Sequence, residues 1–246
     1  MREYRGVRLV YEDNHLLVVV KPPNMPTQAD ASGDADLRST MKAYVKEAYQ
    51  KPGAVYLGLV HRLDRPVGGL VVLARTSKAA ARLSDQVRKK ALSRGYLAVA
   101  RGQAQAQAEL CDWLCKDGAR NTVRVVPEGT AGATDARLRY FADGEADGLS
   151  LLRVKLYTGR SHQIRVQLAH AGLPLWGDAR YGRGQPGEQI ALWGAFLGLL
   201  HPTRGERLFF CALPPAQAEP WRRFALPEAF PELEEDDLRN QEDERC

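Results

Sequence analysis

The spacing of apolar residues predicts a β-hairpin and two amphipathic helices in the first part of the chain. The hairpin joins Val7–Tyr11 to the apolar run Leu16–Val20, and Lys21-Pro22-Pro23 ends its second strand. The first helix places one apolar residue every three or four positions, namely Leu37, Met41, Tyr44, Val45 and Ala48. The second helix follows the same rule with Ala80, Leu83, Val87 and Ala91, and Ser77 is its predicted N-cap.

The rest of the chain is dominated by short strand patterns. Apolar or alternating runs predict strands at Gly69–Arg75, Tyr96–Ala100, Thr122–Val126, Ala136–Tyr140 and Leu152–Tyr157. A third helix is predicted from Ser161 to Ala171, ended by Gly172 in a left-handed conformation. Strands outnumber helices and many are joined by short turns, so the pattern predicts an α+β fold with a largely antiparallel sheet.

Composition excludes membrane and fibrous classes. The chain has 246 residues, of which 44% are hydrophobic and 26% charged, as in an ordinary globular enzyme. Its longest mainly apolar stretch, Ile190–Leu200, is 11 residues with two glycines, whereas a spanning helix needs about 20. The N-terminus has no apolar signal-peptide core. Four cysteines do not form a disulfide framework, so we expect a cytoplasmic protein.

Two cysteines, Cys111 and Cys115, stand four positions apart. They could form half of a metal site, but no second pair and no nearby histidine completes four ligands. Two half-buried thiols on one element are the favoured interpretation. We therefore predict no metal site.

Charge is unevenly distributed along the chain. The last 21 residues, 226–246, contain nine acidic residues and two arginines. Subtracting these from the totals leaves 33 basic and 21 acidic residues over 1–225, a net charge of +12. Such a body attracts phosphate-rich partners, although a merely soluble basic surface would have the same composition. The acidic tail is expected to be solvated and poorly ordered.

One segment, Val60–Leu70, places a single carboxylate in a loop between two arginines. Asp64 lies between Arg62 and Arg65, directly before a buried strand. Neighbouring guanidinium groups keep a carboxylate ionised, which makes it available as a nucleophile or base. A structural salt bridge in the loop explains the same residues equally well.

A second segment, Gly159–Gly172, opens a short helix with basic and hydroxyl groups. Arg160 lies in the turn, and Ser161, Arg165 and Leu168 fall on adjacent helical turns. Such an opening suits an anion or a carboxylate partner, but a capped surface helix has the same pattern.

Together the two segments resemble the RluA-type pseudouridine synthases, which isomerise uridine within RNA. The family signatures correspond here to His61-Arg62-Leu63-Asp64-Arg65 and to Gly159-Arg160-Ser161-His162-Gln163-Ile164-Arg165-Val166-Gln167-Leu168. The resemblance extends in the family's order over most of residues 7–215 through Glu12-Asp13, Lys21-Pro22, Gly95-Tyr96-Leu97-Ala98, Gly177-Asp178, Tyr181-Gly182 and Leu200-His201-Pro202.

The resemblance implies a role for each matched site residue. Asp64 is the aspartate that attacks or activates the ribose, and Arg165 is the basic residue paired with that carboxylate. Tyr96 stacks on the uracil and helps to remove the C5 proton. Arg62 occupies the space left by the flipped nucleotide, because a stacked base cannot be detached and rotated. The predicted RNA-binding residues are Arg62, Arg160, His61 and Lys21.

The resemblance also implies the architecture. We expect residues 1–225 to form a stand-alone pseudouridine synthase catalytic domain, with a bent, mixed sheet in two halves, flanking helices and a central RNA cleft. The expected substrate is ribosomal or transfer RNA, no cofactor is needed, and the protein is expected to be a monomer without an obligatory protein partner. Where many members have Thr-Ser-Gly, this chain has Val67-Gly68-Gly69. Arg94 replaces a common Lys, and Gln167 a common His.

Two other classes of function remain as alternatives. An RNA-binding protein could keep the fold without catalysis, although the intact trio Asp64, Tyr96 and Arg165 argues against it. A glycoside or nucleoside hydrolase could use Asp64 on the same glycosidic bond, but typical glycosidases need two opposed carboxylates. The basic helix 77–94 is either an RNA contact or a solvated face.

Overall fold

The computed structural model describes residues 2–185 and 187–231. Within this part of the chain, helices lie at α1 (Leu37–Ala48), α2 (Ser77–Arg88) and α3 (Gln163–His170), with a short 3-10 helix at Trp221–Arg223. The strands are β1 (Arg2–Tyr4), β2 (Val7–Glu12), β3 (Leu16–Lys21), β4 (Gly58–Leu59), β5 (Gly68–Ala74), β6 (Ser93–Arg101), β7 (Gln107–Asp117), β8 (Thr122–Val126), β9 (Thr134–Ala146), β10 (Leu149–Leu156), β11 (Leu192–Leu200) and β12 (Arg207–Cys211). The predicted α+β class with largely antiparallel strands is confirmed.

The chain divides into two compact units. Among the described residues, the first contains 2–93 and 194–212, and the second contains 94–185, 187–193 and 213–231. The predicted single domain over 1–225 therefore stays a prediction. Of the predicted tail 226–246, only 226–231 are described, and there the side chain of Phe230 is buried.

The first unit is built on a buried antiparallel core. Strand β3 lies between β2 and β5, and Val18 pairs with Val72 at its centre. Every residue of β3 and β5 is buried, which explains why their sequences run apolar instead of alternating. Strand β4 also pairs with β5, and β12 pairs with the end of β11.

Both helices of the first unit begin at side-chain caps. The carboxylate of Asp36 accepts a hydrogen bond from the backbone N–H of Ser39 at the start of α1. For α2 the cap is Thr76, whose hydroxyl accepts from Ala79 N–H, so the prediction of Ser77 is wrong by one residue. Thr76 has the extended backbone that an N-cap requires, whereas Ser77 is already helical.

A hydrogen bond between Asp13 and the buried His201 joins the β2–β3 turn to the segment after β11. The carboxylate of Asp13 accepts from the backbone N–H groups of His15 and Leu16, each at 2.7 Å. Its other oxygen lies 2.7 Å from Nε2 of the fully buried His201. Backbone N–H groups donate to Nδ1 of His201, so Nε2 carries the hydrogen that Asp13 accepts. Burial alone would raise the pKa of Asp13, but these donors lower it to about 2.

Replacing Asp13 with Asn is expected to destabilise the protein by about 2–3 kcal/mol at pH 7, because a pKa depressed by nearly two units contributes about that much. Since the folded pKa lies below the unfolded one, this contribution is present above pH 4 and is lost as the pH falls towards 2. Urea denaturation at several pH values measures it. Asp117→Asn is the control, because the exposed Asp117 also accepts two backbone N–H groups. Equal losses in the two variants would contradict the assignment.

The second unit is an antiparallel sheet with one helix on it. Its strands lie in the order β6-β10-β9-β7-β8. Helix α3 packs against this sheet, and Val166 joins a cluster with Leu114, Val123 and Ala136. Strand β7 was not predicted, because the polar Asp112 stands on the same face as Leu114, where the helix packs, and breaks the alternation of apolar and polar residues.

Two buried glutamines attach α3 to the sheet by hydrogen bonds. The side chain of Gln163 accepts from Thr158 Oγ1 and Arg160 N, and it donates to Arg137 O and Gln167 Oε1. The amide of Gln167 donates to Asp112 Oδ2 at 2.8 Å and to two strand carbonyls. The amide oxygen and nitrogen of both glutamines are therefore hydrogen-bonded within the protein. Gln167, which replaces the histidine common in the resembling family, fits its buried position.

Candidate active site

The loop that carries Asp64 is fixed on both sides of that residue. In the first unit, the hydroxyl of Thr27 donates to Leu63 O at 2.7 Å and accepts from Leu63 N at 3.3 Å. The carbonyl of Asp64 itself accepts from Val67 N at 3.0 Å, which closes a tight turn. The Asp64 side chain is half-buried. A carboxylate on a backbone held this firmly keeps a fixed direction, as a reacting group requires.

Lys21 anchors the other side of the loop. Its ammonium group is fully buried and donates to three carbonyls, Pro22 O at 2.9 Å, Met25 O at 2.8 Å and Arg65 O at 3.1 Å. Burial lowers the pKa of Lys21 to about 7, although the negative charge of Asp64 acts in the opposite direction. All three N–H donors of Lys21 are therefore used inside the protein, which favours a structural role, and the predicted contact of Lys21 with RNA stays a prediction.

His61 is also buried, at 8% exposure. Its Nε2 accepts a hydrogen bond of 3.1 Å from the backbone N–H of Val72 in β5, so the proton of the neutral ring resides on Nδ1. This contact ties the start of the motif to a central strand. The burial favours a structural role for His61 over the predicted contact with RNA.

The two arginines beside Asp64 differ from each other. Arg65 forms an ion pair with Asp34, and both side chains are about half exposed. Arg62 is exposed, and within residues 2–185 and 187–231 no hydrogen bond or ion pair of its side chain is found. Arg65 is therefore engaged away from Asp64, while Arg62 extends into solvent.

The Val67-Gly68-Gly69 departure lies at the buried start of β5. Gly69 has φ of +130°, and a Cβ added there would lie 2.6 Å from Gly194 Cα in β11. Both the backbone conformation and the close approach require glycine. Val67 is 2% exposed, so an apolar side chain fits the position that a hydroxyl residue has in many family members.

Tyr96 lies in β6 of the second unit, on the face of the sheet that α3 covers. It is directly opposite Val154, which in turn pairs with Tyr140. Tyr140 shares its face with Ala136, which packs against Val166 of α3. Tyr96 is buried, at 7% exposure. The tyrosine and the helix that carries Arg165 therefore line the same side of this unit.

Arg165 is held by a carboxylate that the sequence interpretation did not assign. Its Nε and Nη2 donate to the two oxygens of Asp178 at 2.8 and 2.9 Å. Both side chains are buried. The expected pair of Arg165 with Asp64 stays a prediction. The signal for Asp178 was present in the sequence, as the Gly177-Asp178 part of the resemblance.

Arg160 lies just before α3 and is partly exposed. Its guanidinium group donates to the backbone and the carboxylate of Asp135, at 2.8 and 2.7 Å. The helix begins at Gln163, not at Ser161, because His162 has a left-handed backbone with φ of 53°. Arg160 can reach a phosphate group only by exchanging or sharing its ion pair.

The described residues contain no group of three or more histidine, cysteine, aspartate or glutamate side chains arranged to hold a metal ion. Within them, Cys111, Cys115 and Cys211 are free thiols. In the same part of the chain, no helix is long and apolar enough to cross a membrane.

Comparison with known proteins defines the class to which this fold and these motifs belong. The family model described as RNA pseudouridylate synthase matches residues 15–170. Two human structures share the fold, RNA pseudouridylate synthase domain containing 1 and domain containing 4, with TM-scores of 0.71 and 0.70 at 21% and 20% identity. They cover 94% and 85% of this chain, which in turn covers 94% and 89% of theirs. The chain belongs to the RNA pseudouridylate synthase family.

Curated relatives are similar over most of the chain. The uncharacterized RNA pseudouridine synthase YhcT of Bacillus subtilis (strain 168) is 36% identical over 74% of this chain and 60% of its own length. Ribosomal large subunit pseudouridine synthase C of Escherichia coli (strain K12) is 33% identical over 80% of this chain and 63% of its own length. The chain thus spans about three fifths of the length of these relatives.

Proposed function

We propose that this protein is an RNA pseudouridine synthase that isomerises particular uridines in ribosomal or transfer RNA. The observation that carries the proposal is the fixed Asp64 loop: Thr27 holds the residue before the aspartate and Lys21 the residue after it. The loop belongs to a chain of the RNA pseudouridylate synthase family. The names of several relatives, which are ribosomal large subunit pseudouridine synthases, favour ribosomal RNA.

The reaction replaces the C1′–N1 and C5–H bonds with C1′–C5 and N1–H bonds, and it needs no redox partner. Asp64 attacks or activates the ribose, and the C1′–N1 bond breaks. The uracil turns and C5 bonds to C1′, and any bond that Asp64 has formed to the ribose breaks, which returns the free carboxylate. The hydrogen on C5 leaves as a proton, and N1 gains a proton. Tyr96 stacks on the uracil and assists removal of that C5 proton. Arg165 pairs with the carboxylate and holds it charged.

The RNA is bound by exposed cations in this proposal. Arg62 fills the space of the flipped nucleotide, which suits its exposed side chain. Helix α2 presents Lys78 and Arg82 on its exposed side, and Lys89 follows directly at its C-cap, so these cations can contact the phosphate backbone. Arg160 adds a partly exposed guanidinium group. We further propose a cytoplasmic monomer that acts without an obligatory protein partner.

We expect the protein to release tritium from the C5 position of uridine while the uracil stays attached to the RNA. The substrate is RNA labelled with 5-tritiated uridine, taken from cells that lack this protein, because its target sites are unmodified. Tritium in water with no free uracil is the expected result. Free uracil would identify a hydrolase, and binding without either product would identify an RNA-binding protein. Both outcomes contradict the proposal.

A map of pseudouridine in the RNA of the same cells identifies the target. Sites that disappear in the deletion and return with the wild-type protein define the RNA and the uridine. If the lost sites lie outside ribosomal and transfer RNA, the proposed substrate class is wrong even though the reaction stands.

A further inference from the structure

The buried Asp178 and the half-buried Tyr181 form a frame around the guanidinium group of Arg165. The carboxylate of Asp178 receives both Nε and Nη2 of Arg165 in a two-bond, side-by-side geometry. This geometry fixes the plane of the guanidinium group as well as its position. The Nη1 edge lies outside this pair of bonds.

Asp178 is itself held by a tight turn. Its Oδ1 accepts from the backbone N–H groups of Arg180 at 3.0 Å and Tyr181 at 3.2 Å. Gly177 before it has φ of +69°, and a Cβ there would lie 2.7 Å from the carbonyl carbon of Gln189. Burial would raise the pKa of Asp178, but Arg165 and the two N–H groups lower it, so the carboxylate is charged at neutral pH.

Tyr181 supports the same guanidinium group through its ring. The Cζ atom of Arg165 lies 5.2 Å from the ring centroid, within the range of a cation–π contact. The Tyr181 hydroxyl accepts from Val123 N at 2.9 Å and is hydrogen-bonded to Nδ1 of His162 at 2.7 Å. His162 directly precedes α3, so the ring is fixed to the helix that carries Arg165.

We propose that Asp178, supported by Tyr181, is the positioning residue that orients Arg165 for the isomerisation. It acts through Arg165 and does not contact the substrate: it fixes the direction in which the Nη1 edge of Arg165 is presented. The inference rests on the proposed function, because it concerns the role assigned there to Arg165. It gives a function to the Gly177-Asp178 and Tyr181-Gly182 motifs, which the reaction steps leave unused.

The test replaces Asp178 with Asn, which keeps the size but turns an amide N–H₂ towards the guanidinium group. We expect kcat for tritium release to fall about 10- to 100-fold, because a misdirected reacting group costs about that much. The KM for the RNA should change less than twofold. In an Arg165→Lys background, which cannot form the two-bond pair, the same change should cause no further loss.

A second readout does not depend on catalysis. In the wild-type protein, the NMR signal of the Arg165 Nε–H should exchange slowly with water, and in Asp178→Asn it should exchange fast. If the wild-type protein releases no tritium, the proposed function fails, while this signal still decides whether Asp178 holds Arg165. Three results would each overturn the inference. They are a wild-type kcat in Asp178→Asn, an equal loss of kcat from this change in the wild-type and Arg165→Lys backgrounds, and an unchanged exchange rate of the Arg165 Nε–H signal.

Asp178→Asn leaves a buried cation without its partner and can prevent folding. Tyr181→Phe avoids this problem, since it keeps the ring beneath Arg165 and removes only the hydroxyl group. We expect this variant to fold, with kcat reduced about three- to tenfold. An unchanged kcat in Tyr181→Phe would remove Tyr181 from the frame.

Discussion

Asp64→Asn is expected to reduce tritium release from uridine-labelled RNA by about 10⁴-fold or more, which is in practice to zero. The amide has the size of the carboxylate but is neither a nucleophile nor a base, and losing the nucleophile of an enzyme costs several orders of magnitude. Folding should be unaffected, because Asp64 contributes to its turn through the backbone carbonyl and its neighbours are held by Thr27 and Lys21.

Asp34→Asn is the matched control for this variant. Asp34 is an exposed aspartate that pairs with Arg65, the residue next to Asp64, so it tests the loss of a carboxylate near the same loop. Its activity should stay within about twofold of wild type, as for an exposed ion pair. A tenth or more of wild-type activity in Asp64→Asn would mean that another group performs the chemistry.

Asp64→Asn also has an electrostatic consequence that can be measured without RNA. The negative charge of Asp64 raises the pKa of Lys21 against the larger effect of burial. Removing that charge should therefore move the pKa of Lys21 further below about 7. An NMR titration of the Lys21 ammonium group measures the change, and an upward shift would contradict the described arrangement.

Gly69→Ala is expected to be the most destabilising small substitution near the site, at about 4 kcal/mol or more, or to prevent folding. The new Cβ would meet the backbone of Gly194, which cannot move without shifting β11, and φ of +130° is costly for any residue with a Cβ. Urea denaturation measures the free energy of unfolding.

Gly6→Ala separates the two causes. Gly6 also has a positive φ, of +79°, but a Cβ there would have nothing within 4 Å. This variant pays only the backbone cost, about 1–2 kcal/mol. If Gly69→Ala lowers the free energy of unfolding no more than Gly6→Ala does, then the close approach of Gly69 and Gly194 is not the reason that position 69 requires glycine.

The spacing of apolar residues predicts a helix well where the helix has one buried and one exposed face. The three-and-four spacing of apolar residues predicts α1 and α2, and α1 is confirmed with the expected bounds. Helix α2 is confirmed but ends at Arg88, so the predicted extension through Ala91 to residue 94 is wrong: Lys90 has a left-handed backbone with φ of 60°, and β6 begins at Ser93. The spacing identifies both helices because each of them buries one face and exposes the other. Helix α3 buries six consecutive residues and therefore has no exposed face that would mark a helical period. Its bounds depend instead on the hydrogen bonds of Gln163 and Gln167, which the spacing of apolar residues does not show.

The missed strands have a different cause. The run Leu192–Leu200 is apolar throughout, and its pattern predicts no strand because apolar and polar residues do not alternate in it. In the structure it is strand β11, and eight of its nine residues are buried. A strand covered on both faces loses the alternation that identifies strands, so its state depends on its neighbours in the sheet.

The sequence by itself determined the family motifs, the α+β class and the identity of Asp64, Tyr96 and Arg165 as candidates, because each depends on residue types at fixed spacing. Only the tertiary structure decided that Lys21 and His61 are buried anchors, that Arg65 pairs with Asp34, and that Asp178 holds Arg165. These partners are distant in sequence, and burial decides whether a charged side chain meets solvent or the protein's own polar groups.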